Sequence, residues 1–157
     1  MKLYIKQKIF SWNDRFSVYD SSGGEIYRIK GALFSFGNKL TVFDANEREV
    51  CRIEQEIFRL RQRYHVIKDE LCMATVIKEF SLFRPYYTIE GPGLEVQGNF
   101  FEHDYEILSG VTAVASVRKQ WFTWGDSYEI DVDDAYDPVA VLAVAIIIDC
   151  VLESQDN

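Results

Sequence analysis

A nine-residue motif occurs three times along this chain and limits the folds that the chain can adopt. Residues 10–18 read FSWNDRFSV, residues 34–42 read FSFGNKLTV, and residues 122–130 read FTWGDSYEI. The first two copies lie 24 residues apart, and the match continues beyond the motif, since Arg28 aligns with Arg52. Self-similarity at a fixed spacing is typical of a fold built from repeated supersecondary units.

Each repeat has the pattern of two short β-strands joined by tight turns. The pairs Gly37-Asn38 and Gly125-Asp126 tolerate left-handed backbone and favour turns. Alternating segments such as residues 16–19 and 40–43 have the period of half-buried strands. The units therefore predict a meander of about twelve antiparallel strands. Unrelated hairpins that share only turn chemistry are the alternative, which is disfavoured because side chains match beyond the turns.

The C-terminal segment has a different pattern, that of a buried helix. Asp137 suits the N-cap, and Pro138 suits the first helical position. From residue 139 to 152 the segment is apolar on every side, and a helix of that kind must be surrounded by protein. The uncharged run at 138–148 is shorter than the roughly 20 residues that a membrane-spanning helix needs. We therefore expect no transmembrane segment.

The repeated strands and the helix explain each other. Barrels of about eight strands fill their interior with their own side chains, whereas barrels of about 16 or more leave an aqueous channel. A barrel of about twelve strands has room for one helix. We predict a mainly β (α+β) fold in which a closed antiparallel barrel surrounds a central hydrophobic helix at about 137–153. Residues 1–157 would form a single, monomeric domain.

The composition disfavours several classes of function. The formal net charge is −8, which is unsuited to nucleic acid or an anionic membrane. The first eight residues contain three lysines and lack the apolar core of a signal peptide. The cysteines Cys51, Cys72 and Cys150 are odd in number and form no CxxC pair, so we expect reduced, mostly buried thiols in a cytoplasmic protein.

Three segments resemble the LURP-one-related (LOR) family. They are KLYIKQKIFSWNDRFSVYD at 2–20, EGPGLEVQGNFFEHDYEI at 90–107 and KQWFTWGDSYEIDV at 119–132. The resemblance implies the tubby C-terminal-like fold, a twelve-stranded barrel around a hydrophobic helix. It also implies a non-enzymatic binding module whose ligand is a phospholipid headgroup or a membrane-associated partner. The alternative is a structural or regulatory module that binds no lipid and whose acidic face docks on a basic protein.

The candidate anion site is a row of arginines. Arg59, Arg61 and Arg63 alternate along a predicted strand, so their guanidinium groups would share one face and suit phosphate oxygens. The alternative is that neighbouring carboxylates such as Glu54 or Glu56 pair with them.

Signals for catalysis and metal binding are weak. The acidic residues Asp126, Asp131, Asp133, Asp134 and Asp137 lack the spacing of a calcium loop. We therefore predict neither a metal site nor a cofactor.

The only histidines are His65 and His103. Either histidine could act as a base for the thiol of Cys51 or Cys72, which would then be the nucleophile. No catalytic motif flanks these cysteines, and Cys51 shares the alternation of the core residue Ile53. We therefore expect no enzymatic activity.

One helix residue is a specific test of the central helix. Asp149 follows eleven uncharged residues and would lie near one mouth of the barrel. An unpaired buried carboxylate is costly, so we predict an Arg or Lys partner or open solvent there.

Overall fold

The structure is a computed structural model. It describes residues 1–5, 15–34, 37–56, 62–79, 86–91, 93–99, 104–122 and 125–153.

Within these residues the backbone forms twelve β-strands and one α-helix. The strands are β1 (Lys2–Ile5), β2 (Arg15–Tyr19), β3 (Glu25–Phe34), β4 (Gly37–Asp44), β5 (Glu49–Glu56), β6 (Arg63–Lys68), β7 (Leu71–Glu79), β8 (Tyr86–Glu90), β9 (Leu94–Asn99), β10 (Asp104–Ser109), β11 (Thr112–Phe122) and β12 (Gly125–Val132). The helix α1 spans Pro138–Glu153. Each strand pairs antiparallel with its neighbour, and β1 pairs with β12 to close the barrel. The predicted fold class is confirmed.

The helix α1 occupies the interior of the barrel, as the sequence predicts. Leu142, Ile146, Ile147 and Ile148 are each 0% exposed, although they point to different sides of the helix. Inward-facing strand residues such as Ile53 belong to the same hydrophobic cluster. Strands contribute alternate residues to this core because successive side chains point to opposite faces.

The start of the helix is fixed by Asp137. Its Oδ1 accepts a hydrogen bond from the backbone N–H of Val139 at 2.9 Å, as an N-cap residue does. Its Oδ2 accepts a hydrogen bond from Lys68 Nζ at 2.8 Å. The N-cap prediction is confirmed, and the Lys68 contact ties the helix to the β6 wall.

A β-bulge recurs with the 24-residue repeat. The register shifts after Val18 in β2, after Val42 in β4 and after Val66 in β6. Each shift leaves one apolar residue of the next strand without a register partner; these residues are Ile26, Val50 and Met73, and each packs against the core. The residues that directly precede Ile26, Val50 and Met73 in the chain are Glu25, Glu49 and Cys72. Each of them pairs with an outward-facing residue of the preceding strand. The repeated units therefore share a β-bulge as well as a sequence motif.

Asp149 is buried, with 9% of its surface exposed. The predicted alternative of open solvent is therefore wrong, while an Arg or Lys partner stays a prediction. Burial first, and then the Asp149 carboxylate, raise the pKa of both Tyr87 and Tyr105. The C-terminal half of the helix thus brings a polar group among tyrosines inside the barrel.

Candidate functional site on the outer wall

Strands β5, β6 and β7 place polar side chains together on the outside of the barrel. Glu56 is the register partner of Arg63, and His65 is the register partner of Thr75. The intervening residues Tyr64, Val66 and Val76 face the core. We call Glu56, Arg63, His65, Cys72 and Thr75 the outer-wall site.

His65 is held by hydrogen bonds at both ring nitrogens. Its Nε2 lies 2.9 Å from Glu56 Oε2, and its Nδ1 lies 2.9 Å from Thr75 Oγ1. An ionised carboxylate can only accept, so Nε2 carries the proton, and in the neutral ring Nδ1 accepts from the Thr75 hydroxyl. The ring is therefore fixed in both its orientation and its tautomer.

Cys72 lies beside this histidine, facing solvent. Its Sγ is 3.8 Å from His65 Nδ1 and 3.7 Å from Thr75 Oγ1, and it donates to the Ala74 carbonyl at 3.4 Å. The prediction that this thiol is buried is wrong, because Cys72 is exposed. The cause is the bulge at Met73, which pairs Cys72 with outward-facing Ile67 and interrupts the simple alternation of the strand.

Cys51 behaves as predicted, as a packing residue. It is 1% exposed and belongs to the core cluster with Ile53. Burial, followed by the charge of Asp137, raises the pKa of the Cys51 thiol to about 12. A thiol reacts as the thiolate, so Cys51 is inert in the folded protein. The Cys150 side chain and His103 lie outside the part of the chain that the structure describes.

The predicted arginine row is only partly described. Arg59 and Arg61 fall outside the described residues, whereas Arg63 lies on the outer face at the start of β6. Its carboxylate neighbours are engaged elsewhere, since Glu56 contacts His65 at 2.9 Å and Glu54 contacts Arg52 at 3.7 Å. Arg63 forms no ion pair with a described residue. The row itself stays a prediction.

The acidic stretch before the helix serves local structure. Asp133 accepts from the backbone N–H of Ala135 at 2.9 Å, and Asp134 contacts the N-terminal amino group at 3.0 Å. Among the described residues, no group of His, Cys, Asp and Glu side chains is arranged to hold a metal ion.

A second surface lies at one end of the barrel. This turn end carries the turns at 20–24, 44–48, 69–70 and 109–112, the Gly91 turn and the link at 133–137. The exposed large apolar side chains of the described residues all lie there; they are Met1, Leu71, Val111 and Tyr136. Sequence reasoning missed this clustering, although Leu71 and Val111 directly follow turn residues.

Carboxylates surround these apolar side chains at the turn end. They belong to Asp20, Asp44, Glu47, Asp69, Glu70, Glu90, Asp133, Asp134 and Asp137. The described cations that lie at this end or contact its carboxylates are fewer, namely Arg28, Arg48, Arg52, Lys68 and the amino group of Met1. Along the described walls, Lys39 and Arg118 each form an ion pair, and Lys2 contacts Glu129 at 3.3 Å.

The architecture defines the class of protein: a closed antiparallel barrel whose interior holds its own helix. The chain belongs to the LURP-one-related family, whose sequence profile matches residues 1–149. It is 30% identical over 157 residues to the uncharacterized protein YxjI of Bacillus subtilis (strain 168), a match that covers 100% of this chain and 97% of the relative.

A protein of Arabidopsis thaliana solved by X-ray crystallography has a similar fold. Its structure superimposes with a TM-score of 0.67 at 16% identity, over 96% of this chain and 90% of the plant chain. At this identity the likeness concerns the fold alone. In the described part of the chain, no helix has the length and apolar character needed to cross a membrane.

Proposed function

We propose that this protein is a non-enzymatic binding module that docks on a basic protein partner through the turn end. The observation that carries the proposal is that Leu71, Val111, Tyr136 and Met1, the exposed large apolar side chains of the described residues, all lie at the same end of the barrel. Val111 is 100% exposed and Leu71 is 71% exposed. Grouped exposed apolar side chains with polar residues around them are characteristic of interaction surfaces.

Charge determines the kind of partner that fits. The side chains of Glu47, Glu70 and Asp134 are 83%, 81% and 95% exposed, so a partner can reach them. Each also contacts a cation, namely Arg28 at 3.7 Å, Arg52 at 3.1 Å and the N-terminal amino group at 3.0 Å. Complementary charge steers association and excludes partners of like charge. A partner that presents lysine or arginine around an apolar segment matches this surface, whereas an anionic membrane is repelled.

The proposed absence of catalysis is supported by the filled interior. The barrel leaves its inner space to α1, whose described side chains between Val141 and Ile148 are buried. The exposed free thiol of Cys72 suits a reducing compartment, and so we propose a cytoplasmic location.

The second candidate is binding of a phospholipid headgroup at the arginine row, which the family resemblance suggests. The observation in its favour is Arg63, an outward-facing cation that lacks an ion pair among the described residues. Guanidinium groups suit phosphate oxygens. This site is at the opposite end of β6 from the turn end, so separate variants test the two candidates.

The first experiment titrates the protein with a synthetic amphipathic peptide of lysine and leucine. We expect Leu71→Ser with Val111→Ser to weaken binding about tenfold, as loss of central apolar contacts does. Glu70→Lys should weaken it further and make it less sensitive to salt. Glu106→Lys, the same charge change on the wall of β10, is the matched control and should leave the affinity within about twofold.

The second experiment measures sedimentation with phosphatidylcholine vesicles that do or do not contain phosphatidylserine. Docking through the acidic turn end predicts no binding to either vesicle. Salt-sensitive binding to the anionic vesicles that Arg63→Ala abolishes would instead support the headgroup candidate. Equal loss of peptide binding in the Glu106→Lys control and in the turn-end variants would refute the proposed docking surface.

A further inference from the structure

We propose that Cys72 is a modification site, a solvent-facing thiol that His65 and Glu56 activate for reversible mixed-disulfide formation with a small disulfide. The inference does not depend on the docking function, because it concerns the side of the barrel and not the identity of a partner.

The three groups stand in the order nucleophile, base and orienting carboxylate. Cys72 Sγ lies 3.8 Å from His65 Nδ1, and His65 Nε2 lies 2.9 Å from Glu56 Oε2. They come from three adjacent strands, so the barrel wall itself sets their spacing. A base that is itself oriented by a third group is the arrangement that activates cysteine and serine nucleophiles.

The hydrogen bond to Glu56 decides which ring nitrogen faces the thiol. Because Glu56 accepts from Nε2–H, the lone pair of Nδ1 points towards Cys72 and Thr75. When the thiol proton passes to Nδ1, the imidazolium lies between the Glu56 carboxylate and the Cys72 thiolate. Opposite charges then alternate along the array, in the order carboxylate, imidazolium and thiolate. The Thr75 hydroxyl, 3.7 Å from Sγ, becomes available to donate to the sulfur.

The backbone around the thiol is held in place from the neighbouring turn. The bulge at Met73 turns Cys72 outward. Gly91 has φ +111°, and a Cβ on it would lie 2.7 Å from the Met73 carbonyl oxygen. Only glycine permits this close approach. The exposed position of Cys72 is thus built into the packing of two adjacent hairpins.

The reaction is a thiol–disulfide exchange. The Cys72 thiolate attacks one sulfur of a small disulfide, the new bond joins Sγ to that sulfur, and the other sulfur leaves as a thiolate that takes up a proton. No further oxidant is needed, because the disulfide accepts the electron pair. Cys51 faces the barrel interior and cannot resolve the product from inside the wall. With respect to the cysteine side chains that the structure describes, the mixed disulfide therefore lasts until an external thiol removes it.

The other charged groups near the array supply a matched control. Glu54 is the register partner of His65, but it is engaged with Lys39 at 3.8 Å and Arg52 at 3.7 Å. Arg63 lies on the same face of β6, and Glu90 is the register partner of Thr75 on β8. Arg52 also contacts Glu70 at 3.1 Å. Glu54 thus resembles Glu56 in charge and strand, but it is not hydrogen-bonded to the histidine.

The test measures the rate at which oxidised glutathione modifies each cysteine of the folded protein at neutral pH, resolved by peptide mass spectrometry. We expect Cys72 to react about tenfold faster than the same cysteine in a synthetic peptide of residues 69–77. Cys51 should stay unmodified. His65→Ala should lower the Cys72 rate about tenfold, and Glu56→Gln should lower it severalfold.

The carboxylate variants separate stabilisation of the imidazolium by Glu56 from a general effect of nearby negative charge, because the glutamine oxygen of Glu56→Gln can still accept from Nε2–H. Loss of any nearby negative charge favours a thiolate, so a purely electrostatic role predicts a faster Cys72 in both Glu56→Gln and Glu54→Gln. The proposal predicts a slower Cys72 in Glu56→Gln and a change within about twofold in Glu54→Gln. Equal rates in the wild type, His65→Ala and Glu56→Gln would overturn it, as would a folded Cys72 no faster than the peptide. Circular dichroism establishes that each variant compared is folded.

Discussion

Replacing Leu142 with alanine tests whether the central helix supports the barrel. Leu142 is 0% exposed and lies in the same cluster as the inward-facing strand residues Ile53 and Ile130. In a helix enclosed on all sides, no solvent-exposed neighbour can move in to fill the space that the lost side chain leaves. The substitution therefore creates a cavity at the centre of the domain.

The expected cost follows from what is removed. Leu→Ala deletes three carbon atoms, and each buried methylene contributes about 0.8 kcal/mol, which gives about 2.4 kcal/mol from transfer alone. The residual cavity raises the cost, and fully buried Leu→Ala changes elsewhere fall at about 2.7–5 kcal/mol. We expect the free energy of unfolding to fall by about 3–4 kcal/mol. That is a large fraction of the roughly 5–15 kcal/mol that stabilises a domain.

The assay is equilibrium unfolding in urea, followed by circular dichroism and by tryptophan fluorescence. The chain provides a matched control in Leu71→Ala, the same chemical change at a residue that is 71% exposed. The control should alter the free energy of unfolding by no more than about 0.5 kcal/mol. A loss below about 1 kcal/mol in Leu142→Ala with an unchanged urea dependence, or equal losses in both variants, would refute the placement of α1 inside the barrel.

Three further substitutions test local features, each by urea unfolding. Asp137→Ala removes the N-cap and the ion pair of the helix start and should cost about 1–2 kcal/mol, whereas Asp137→Ser should recover most of the cap. Hydrogen bonds from Ser22 and Gly24 lower the pKa of Asp20 in the folded protein. The ionised carboxylate therefore stabilises the fold at pH values above the pKa of Asp20 in the unfolded chain. This stabilisation is lost as the pH falls through the lower pKa of the folded state. Asp20→Asn should therefore destabilise at neutral pH, with the difference from wild type disappearing in acid; a difference independent of pH would contradict this. At Gly98, where φ is +134°, a Cβ would lie 2.6 Å from the Cα of Tyr105, whereas at Gly110, where φ is +63°, a Cβ would meet open space. Gly98→Ala should therefore lower the free energy of unfolding by about 2–4 kcal/mol, and Gly110→Ala by about 1 kcal/mol. Equal losses would contradict the close approach at Gly98.

The architecture could be predicted because local patterns determine it. Alternating segments such as 40–43 recur along the chain, and each predicts its strand with little help from distant residues. The predicted turn pairs Gly37-Asn38 and Gly125-Asp126 are wrong in position, because the structure places them at the starts of β4 and β12. The helix has equally local signals, namely Asp137, Pro138 and an apolar run. A hydrophobic helix has few stable positions beside a meander of strands, so the enclosing barrel follows.

The outer-wall site could not be predicted in the same way. Simple alternation from Ala74 places Cys72 inside, whereas the bulge at Met73 turns it outside. A bulge is a property of two paired strands, so one strand pattern does not reveal it. The 24-residue spacing aligns Glu25 and Glu49 with Met73, and Cys72 takes the equivalent place in the structure only because the turn before it is one residue shorter. The contact between Glu56 and His65 likewise depends on cross-strand register.

The filled interior also determines where function can reside. In a barrel with an empty lumen, inward-facing residues choose the ligand, but here residues such as Leu142 and Ile53 contact one another in the core. Substitutions there should change stability and leave binding unaffected. Leu71 and Cys72 are exposed, so their substitution should have the opposite effect. A ligand whose affinity depended on inward-facing side chains, in variants that remained folded, would contradict this separation.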